Sequence, residues 1–288
     1  RNSPAGVIKF ASTRPTDKFE GYGSIGFGKD STINAEGALN VPLNENMAMR
    51  FSLMSQNRDD RVFNNRPNAA VTEFEGYNDH AARIQLQYKN RDFSALFGVK
   101  HRDMKGNATL FRANIIKKGT NDLVDGFRFD SYPTDGGNVQ TLKNTGASMR
   151  LSWVRGDLTF HSITGYESAE FFSWGDVDGG FGAVYAPPMG PDYPGQPAFI
   201  PFDAQTADGM PEHKQVTQEF RVESNYKGPM NWIAGAYYFS EDLQVDSFNY
   251  ETFNNNRQHG YAVQFQDSTS WALFGSVNYQ VTDRLKMR

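Results

Sequence analysis

Cysteine is absent from the 288 residues of this sequence, which excludes disulfide bonds and cysteine-ligated zinc sites. No run of eighteen apolar residues occurs, so the sequence contains no candidate transmembrane helix. Basic residues show no excess either. The formal net charge is -4, and Lys and Arg form no continuous stripe, which argues against a nucleic-acid partner.

Apolar residues are few, whereas aromatic residues are many. Only 38% of the residues are hydrophobic, yet Phe, Tyr and Trp account for 14%. A membrane β-barrel with a wet or plugged interior needs apolar side chains only on its outer face. The composition is therefore compatible with such a barrel, although a hydropathy scan alone would classify the chain as water-soluble.

Apolar and polar residues alternate with a period of two in ten segments, most of them about ten residues long. Tilted strands of that length cross the apolar core of a bilayer. An eleventh segment begins near Leu285. The ten predicted strands are Gly21–Gly28, Ile33–Val41, Met47–Gln56, Ala81–Tyr88, Phe93–His101, Gly146–Val154, Leu158–Tyr166, Val216–Tyr226, Trp232–Leu243 and Thr269–Tyr279.

The links between these strands are of two sizes. The short links are rich in turn-forming residues and comprise Pro42–Glu45, Lys89–Asp92, Arg155–Asp157, Lys227–Met230 and Gln280–Arg284. The long links are Asn57–His80, Arg102–Thr145, Glu167–Gln215 and Gln244–Ser268. Tight turns on one side and long loops on the other are typical of an antiparallel transmembrane β-barrel, the all-β fold that the sequence predicts.

The cost of placing charge in lipid assigns the two faces of each strand. An Arg near the bilayer midplane costs about 2–4 kcal/mol, so Phe220 should face lipid and Arg221 the lumen. By the same argument Arg50, Arg83 and Arg150 face the lumen. Aromatic side chains beside the short links predict a girdle at the headgroup boundary, formed by Tyr88, Phe93, Trp153, Tyr226, Trp232 and Tyr279.

The N-terminal segment carries a recognisable motif, made of Arg1, Asn2, Ser3, Gly6, Arg14 and Pro15. It resembles the end of the plug domain of TonB-dependent outer-membrane receptors, where a similar pattern precedes the first barrel strand. Gln218–Val222 with Trp232–Tyr238 resembles a recurrent hairpin of the same barrels, and Ala272–Gly275 with Thr282–Leu285 resembles the next one.

This resemblance implies that residues 1–18 are the C-terminal end of a plug domain and residues 19–288 the N-terminal part of a barrel. The expected product is about ten complete strands of a larger, 22-stranded barrel. The chain begins without Met and ends within a predicted strand, so we expect a section of a longer protein.

By the same resemblance, the intact protein would be a receptor in the outer membrane of a Gram-negative bacterium. It would import a scarce solute, such as a ferric siderophore, when a TonB-type energy-coupling complex rearranges the plug. The other implied partners are the solute and membrane lipid, and the intact receptor would be a monomer. We expect no cofactor, no metal site and no enzymatic activity.

Two loops contain candidate solute-binding residues. The proline-rich link Glu167–Gln215 presents many aromatic rings, including Trp174, Tyr185 and Tyr193, which suit a ring-bearing or amphipathic solute. Packing of these rings against neighbouring loops is an equally good explanation. In the link Asn57–His80, Arg58 and Arg61 suit an anionic chelate, although adjacent acidic residues counterbalance them.

Other motifs carry little weight. Gly21, Gly23 and Gly26 match a dinucleotide-binding pattern but lie within a predicted strand rather than before a helix. Asp176–Gly180 begins like a calcium loop but lacks the required Glu.

Two alternative functions remain open. The first is a passive porin-like channel, which would conduct ions without an energy source. The second is a soluble all-β glycan-binding protein, which would stay in solution without detergent.

Overall fold

A computed structural model describes residues 11–66, 69, 71–108, 110–177, 179–180, 184–185, 198–199, 205–251, 257–282 and 284–287. Within these residues the fold is all-β. None of them belongs to a helix long and apolar enough to cross a membrane.

Eleven strands form one antiparallel sheet in the order β1-β2-β3-β6-β7-β9-β10-β13-β14-β15-β16. Five shorter strands lie in the long links between them. The bounds are β1 Glu20–Phe27, β2 Ile33–Asn44, β3 Met47–Arg58, β4 Val62–Asn64, β5 Glu73–Phe74, β6 Tyr77–Lys89, β7 Phe93–Gly106, β8 Ser131–Tyr132, β9 Val139–Arg155, β10 Leu158–Asp176, β11 Val184–Tyr185, β12 Ala198–Phe199, β13 Gln205–Ser224, β14 Met230–Glu251, β15 Arg257–Thr282 and β16 Leu285–Met287.

All eleven predicted strands are present, but most extend further toward the long links than the sequence pattern does. The prediction of a long loop over Gln244–Ser268 is wrong, because β14 continues to Glu251 and β15 begins at Arg257. Beyond the apolar belt both faces of a strand meet polar surroundings, so the alternating pattern fades while the backbone hydrogen bonds continue.

Directly paired residues on neighbouring strands point to the same side of the sheet. Because the register pairs mostly apolar residues with apolar ones and polar residues with polar or small ones, the sheet has one apolar and one polar face. One row of paired residues consists of Leu39, Phe51, Ile84, Val99 and Ala147. The neighbouring row on the opposite face consists of Asn40, Arg50, Gln85, Gly98 and Ser148.

The face assignments made from the sequence agree with this register. Arg83 and Arg150 share the polar face with Arg50, whereas Phe220 lies on the apolar face and is 58% exposed. Aromatic side chains also cluster at the short links: the ring centroids of Tyr88 and Phe93 lie 6.1 Å apart. The short links are tight turns, as in Arg155–Asp157, where Gly156 has a φ of 61° that favours glycine.

The sheet curves as part of a barrel but does not close. Among the described residues, β1 and β16 are its two edges, and each pairs with a neighbour on one side only.

Candidate functional site

The segment that precedes β1 is fastened to the polar face of the sheet by one asparagine. Asn40 on β2 has no solvent exposure. Its Oδ1 accepts a hydrogen bond from the backbone N–H of Thr16 at 2.9 Å, and its Nδ2 donates to the Thr16 carbonyl at 2.9 Å. Nδ2 also donates to the Lys18 carbonyl. The amide therefore pairs with Thr16 much as a neighbouring strand would.

A second contact lies closer to the N-terminus of the same segment. The guanidinium of Arg83 on β6 donates a hydrogen bond to the Ser12 hydroxyl. Pro15 is buried and Arg14 is exposed. Of the plug-like motif, Arg14 and Pro15 therefore lie along the lumen face, whereas Arg1, Asn2, Ser3 and Gly6 lie outside the described residues. The domain boundary at residue 18 stays a prediction.

A cavity of about 490 Å³ separates this segment from the sheet. Its wall is formed by β6, β7 and β9, and its other side by Ala11, Ser12 and Arg14. The charged side chains that line it are Arg14, Arg83, Lys100, Arg150 and Glu167.

Ion pairs lie within this cavity and elsewhere on the polar face. Nζ of Lys100 lies 2.6 Å from Oε1 of Glu167. Arg221 binds two acids of its own strand, with its Nε 2.7 Å from Oε1 of Glu223 and its Nη1 3.2 Å from Oε1 of Glu219. Glu167, Glu219 and Glu223 therefore each have a basic partner.

The first two long links pack together into a small cap. Strand β4 pairs antiparallel with β5 and parallel with β8, so the link after β3 is hydrogen-bonded to the link after β7. Val62, Phe74 and Tyr132 form its buried core, each with at most 4% exposure. The sequence pattern gave no sign of these short strands, because each has only two or three residues.

Polar contacts fix the cap internally. Nδ2 of Asn64 donates to the Val71 carbonyl at 2.7 Å and to the Thr134 carbonyl at 3.0 Å. The guanidinium of Arg112 lies 5.4 Å from the centroid of the Tyr132 ring, a cation–π contact.

The exposed end of the cap carries one perturbed carboxyl group. The Arg128 guanidinium donates to Asp130 at 2.9 and 2.8 Å, and this hydrogen bonding lowers the pKa of the Asp130 carboxyl.

Arg58 and Arg61 both bind the same residue, Glu75. Arg58 donates from Nε to the Glu75 carbonyl at 3.2 Å, and its guanidinium lies 4.8 Å from the centroid of the Tyr77 ring. Nη2 of Arg61 lies 2.6 Å from Oε2 of Glu75. The two arginines thus hold the turn at Glu75, where φ is 71°. Their predicted contact with an anionic solute stays a prediction.

The structure describes the backbone of two of the three predicted aromatic residues, Trp174 and Tyr185. Trp174 lies within β10, so its placement in a loop is wrong. Its ring stacks on Tyr250 of β14, with centroids 5.7 Å apart and planes 3° apart. Tyr185 belongs to β11, which pairs with β12. Tyr193 lies outside the described residues. A solute contact by any of the three stays a prediction.

Sequence reasoning missed Asn40 and Tyr250. An asparagine within a predicted strand, on the face that carries Arg50, was an available sign of a polar anchor. Tyr250 gave none, because its link was predicted to be irregular. The described residues contain no group of three or more His, Asp and Glu side chains suited to holding a metal ion.

No protein-family model matches this chain, and no curated protein is similar in sequence. Solved structures are similar in fold. The ferric yersiniabactin uptake receptor FyuA from Yersinia pestis superposes with a TM-score of 0.69 and 14% identity, over 96% of this chain and 38% of that one. The ferric-catecholate import receptor Fiu from E. coli K12 gives 0.65 and 13%, over 99% and 42%.

A third structure agrees with these two. The siderophore receptor PiuA from Acinetobacter baumannii gives a TM-score of 0.64 and 10% identity, over 94% of this chain and 41% of that one. The chain thus spans about two fifths of the length of the structures it matches. At the level of the fold, the resemblance seen in the sequence is confirmed: the chain has the architecture of a section of the barrel of TonB-dependent siderophore receptors.

Proposed function

We propose that this chain is part of an outer-membrane receptor that imports a ferric siderophore or a similar chelate by energy-coupled rearrangement of a plug. One observation carries the proposal. Residues 11–18, the described end of the segment with the plug-like motif, lie on the lumen face, where Asn40 fixes Thr16 and Arg83 fixes Ser12. In the receptors that the sequence resembles, the end of the plug likewise precedes the first barrel strand, as this segment precedes β1.

The similar structures support the solute class. FyuA takes up ferric yersiniabactin, Fiu imports ferric catecholates, and PiuA is a siderophore receptor. The partners proposed for the intact protein are such a chelate, membrane lipid and a TonB-type energy-coupling complex. The intact receptor acts as a monomer in the outer membrane and catalyses no covalent reaction.

The cap offers a surface for the solute on the side of the long links. Within it Arg58 and Arg61 bind Glu75, and the sequence puts Tyr185 and Tyr193 in the link after β10. We propose these residues, with Trp174, as the first set to substitute when solute binding is measured.

The test uses the full-length receptor in an E. coli strain that lacks its own ferric-siderophore receptors. Uptake of radiolabelled iron is measured with hydroxamate, catecholate and carboxylate siderophores, with and without a functional energy-coupling complex. We expect saturable uptake of at least one chelate, lost when coupling is absent. Uptake that survives without coupling, together with ion conductance in planar bilayers, would instead show a passive channel. Full solubility without detergent would point to a soluble β protein.

A further inference from the structure

The cavity between the plug-like segment and the sheet has a marked excess of positive charge. Arg14, Arg83, Lys100 and Arg150 line it, and Glu167 is the single carboxylate, which gives a net charge of +3. Glu167 is already bound to Lys100 at 2.6 Å. Among the described residues, no acidic side chain forms an ion pair with the three arginines.

Neighbouring residues of the sheet and segment offer no neutralising acid either. In the sequence, residues 1–10, which lie outside the described residues, contain no Asp or Glu. Asp17 is exposed, and Glu219 and Glu223 are held by Arg221. Arg14 and Arg150 are solvent-exposed, so the cavity attracts an anion through the field of its excess positive charge and not through a cost of buried cations.

The shape of the cavity suits a compact anion. Three rows of paired residues cross the floor of the cavity. The central row consists of Gln85, Gly98 and Ser148, and Gly98, which has no side chain, leaves open the space between the other two. Gln85 is 8% exposed and brings an amide group to the wall. A second cavity, of about 290 Å³, lies beyond Arg14 and Arg150, which line both.

We propose that this cavity is a binding site for a carboxylate-bearing anion, held by Arg14, Arg83 and Arg150. Planar guanidinium groups form paired hydrogen bonds with carboxylate oxygens, which favours this chemistry over a spherical halide. The anion comes either from a small-molecule solute on its way through the lumen or from an acidic side chain elsewhere in the plug. In both cases it links the plug-like segment, through Arg14, to the barrel wall, through Arg83 and Arg150.

The experiment uses the full-length receptor purified in detergent and compares Arg150→Gln with Arg150→Lys. Arg150 is chosen because no hydrogen bond joins it to the described part of the plug-like segment. Arg155→Gln, in an exposed turn, is the matched control for loss of one positive charge. Citrate binding is measured by calorimetry, with triethyl citrate as the uncharged probe. Hydrogen exchange is measured in residues 11–17.

If the anion is a solute, the wild type binds citrate but not its ester. Arg150→Gln then weakens binding about tenfold or more, as expected for the loss of a charge-assisted contact, and Arg150→Lys restores part of it. If the anion belongs to the plug, the wild type binds no citrate, and Arg150→Gln accelerates exchange in residues 11–17 about tenfold while Arg155→Gln does not.

The site is refuted if citrate fails to bind and Arg150→Gln exchanges like the wild type. The inference concerns the lumen of the proposed receptor, but neither readout depends on transport. A receptor that imports no siderophore yet shows either response retains the site, and an active importer that shows neither response does not have it.

Discussion

Lys100 and Glu167 form an ion pair across a strand that separates them. Lys100 lies on β7 and Glu167 on β10, and both are paired in register with Gly146 of the intervening β9. A Cβ atom at Gly146 would lie 2.5 Å from Cε of Lys100 and 2.6 Å from Oε2 of Glu167. A larger residue at this position would therefore displace the ends of both side chains from their present 2.6 Å contact.

We expect this pair to contribute little to stability. Both side chains are more than a third exposed, at 40% and 38%, so water screens the interaction. A double-mutant cycle with Lys100→Met and Glu167→Gln, read by denaturant unfolding of the full-length receptor, should give a coupling free energy below about 1 kcal/mol. Gly146→Val should abolish that coupling. A coupling of several kcal/mol would contradict the screening argument.

Substitution of Asn40 should release the plug-like segment. Asn40→Ala removes three hydrogen bonds to backbone groups of Thr16 and Lys18, each lost contact costing about 1 kcal/mol. We expect faster proteolysis between residues 11 and 18 with the barrel intact. Asn34→Ala, an exposed position on the same face of β2, is the control. Equal cleavage of the two variants would show that Asn40 is not the anchor.

The cap should unfold separately from the barrel. Phe74 has no solvent exposure, and Phe74→Ala should destabilise the cap by about 3–5 kcal/mol through the cavity it leaves. Hydrogen exchange should then accelerate in residues 58–76 and 127–134 but not in β9. Phe63→Ala is the matched control, because Phe63 lies in β4 and is 55% exposed. Uniform loss of protection across the sheet would mean that the cap and barrel are one cooperative unit.

A positive charge should destabilise the fold more on the apolar face than on the polar face. Phe97 is 46% exposed on the apolar face, so Phe97→Lys should lower the folding free energy in lipid bilayers by about 2–4 kcal/mol. Ser94→Lys places the same charge on the polar face of the same strand and should have a much smaller effect. Similar effects in both variants would refute the assignment of faces.

Tyr250 should ionise at a higher pH than an ordinary tyrosine. Burial raises its pKa above the usual 10.0 because the phenolate loses hydration. Because the pKa of Tyr250 is higher in the folded state than in the unfolded state, neutral Tyr250 contributes to the stability of the fold below about pH 10. That contribution is lost as the pH rises through the folded-state pKa. The difference in phenolate absorbance between wild type and Tyr250→Phe reports this titration. A midpoint at or below 10 would contradict the packing against Trp174.

Local pattern was sufficient for the barrel strands. The alternation in Met47–Leu53, the turn residues of Lys89–Asp92 and the charge of Arg221 each report on immediate surroundings, and together they predicted eleven strands and their faces. They did not predict where β10 and β14 end, because beyond the apolar belt the two faces of a strand no longer differ in polarity.

By itself the sequence determined the eleven strands of the large sheet, the side on which the tight turns lie and the face that carries charge, since alternation, turn residues and charge are local properties of the chain. Only the tertiary structure decided that β4 pairs with β8, that Trp174 stacks on Tyr250 and that Arg58 and Arg61 share Glu75. These contacts join residues that are distant in the chain. A local sequence pattern does not predict them, because each depends on the positions of a few side-chain or backbone atoms in the folded structure.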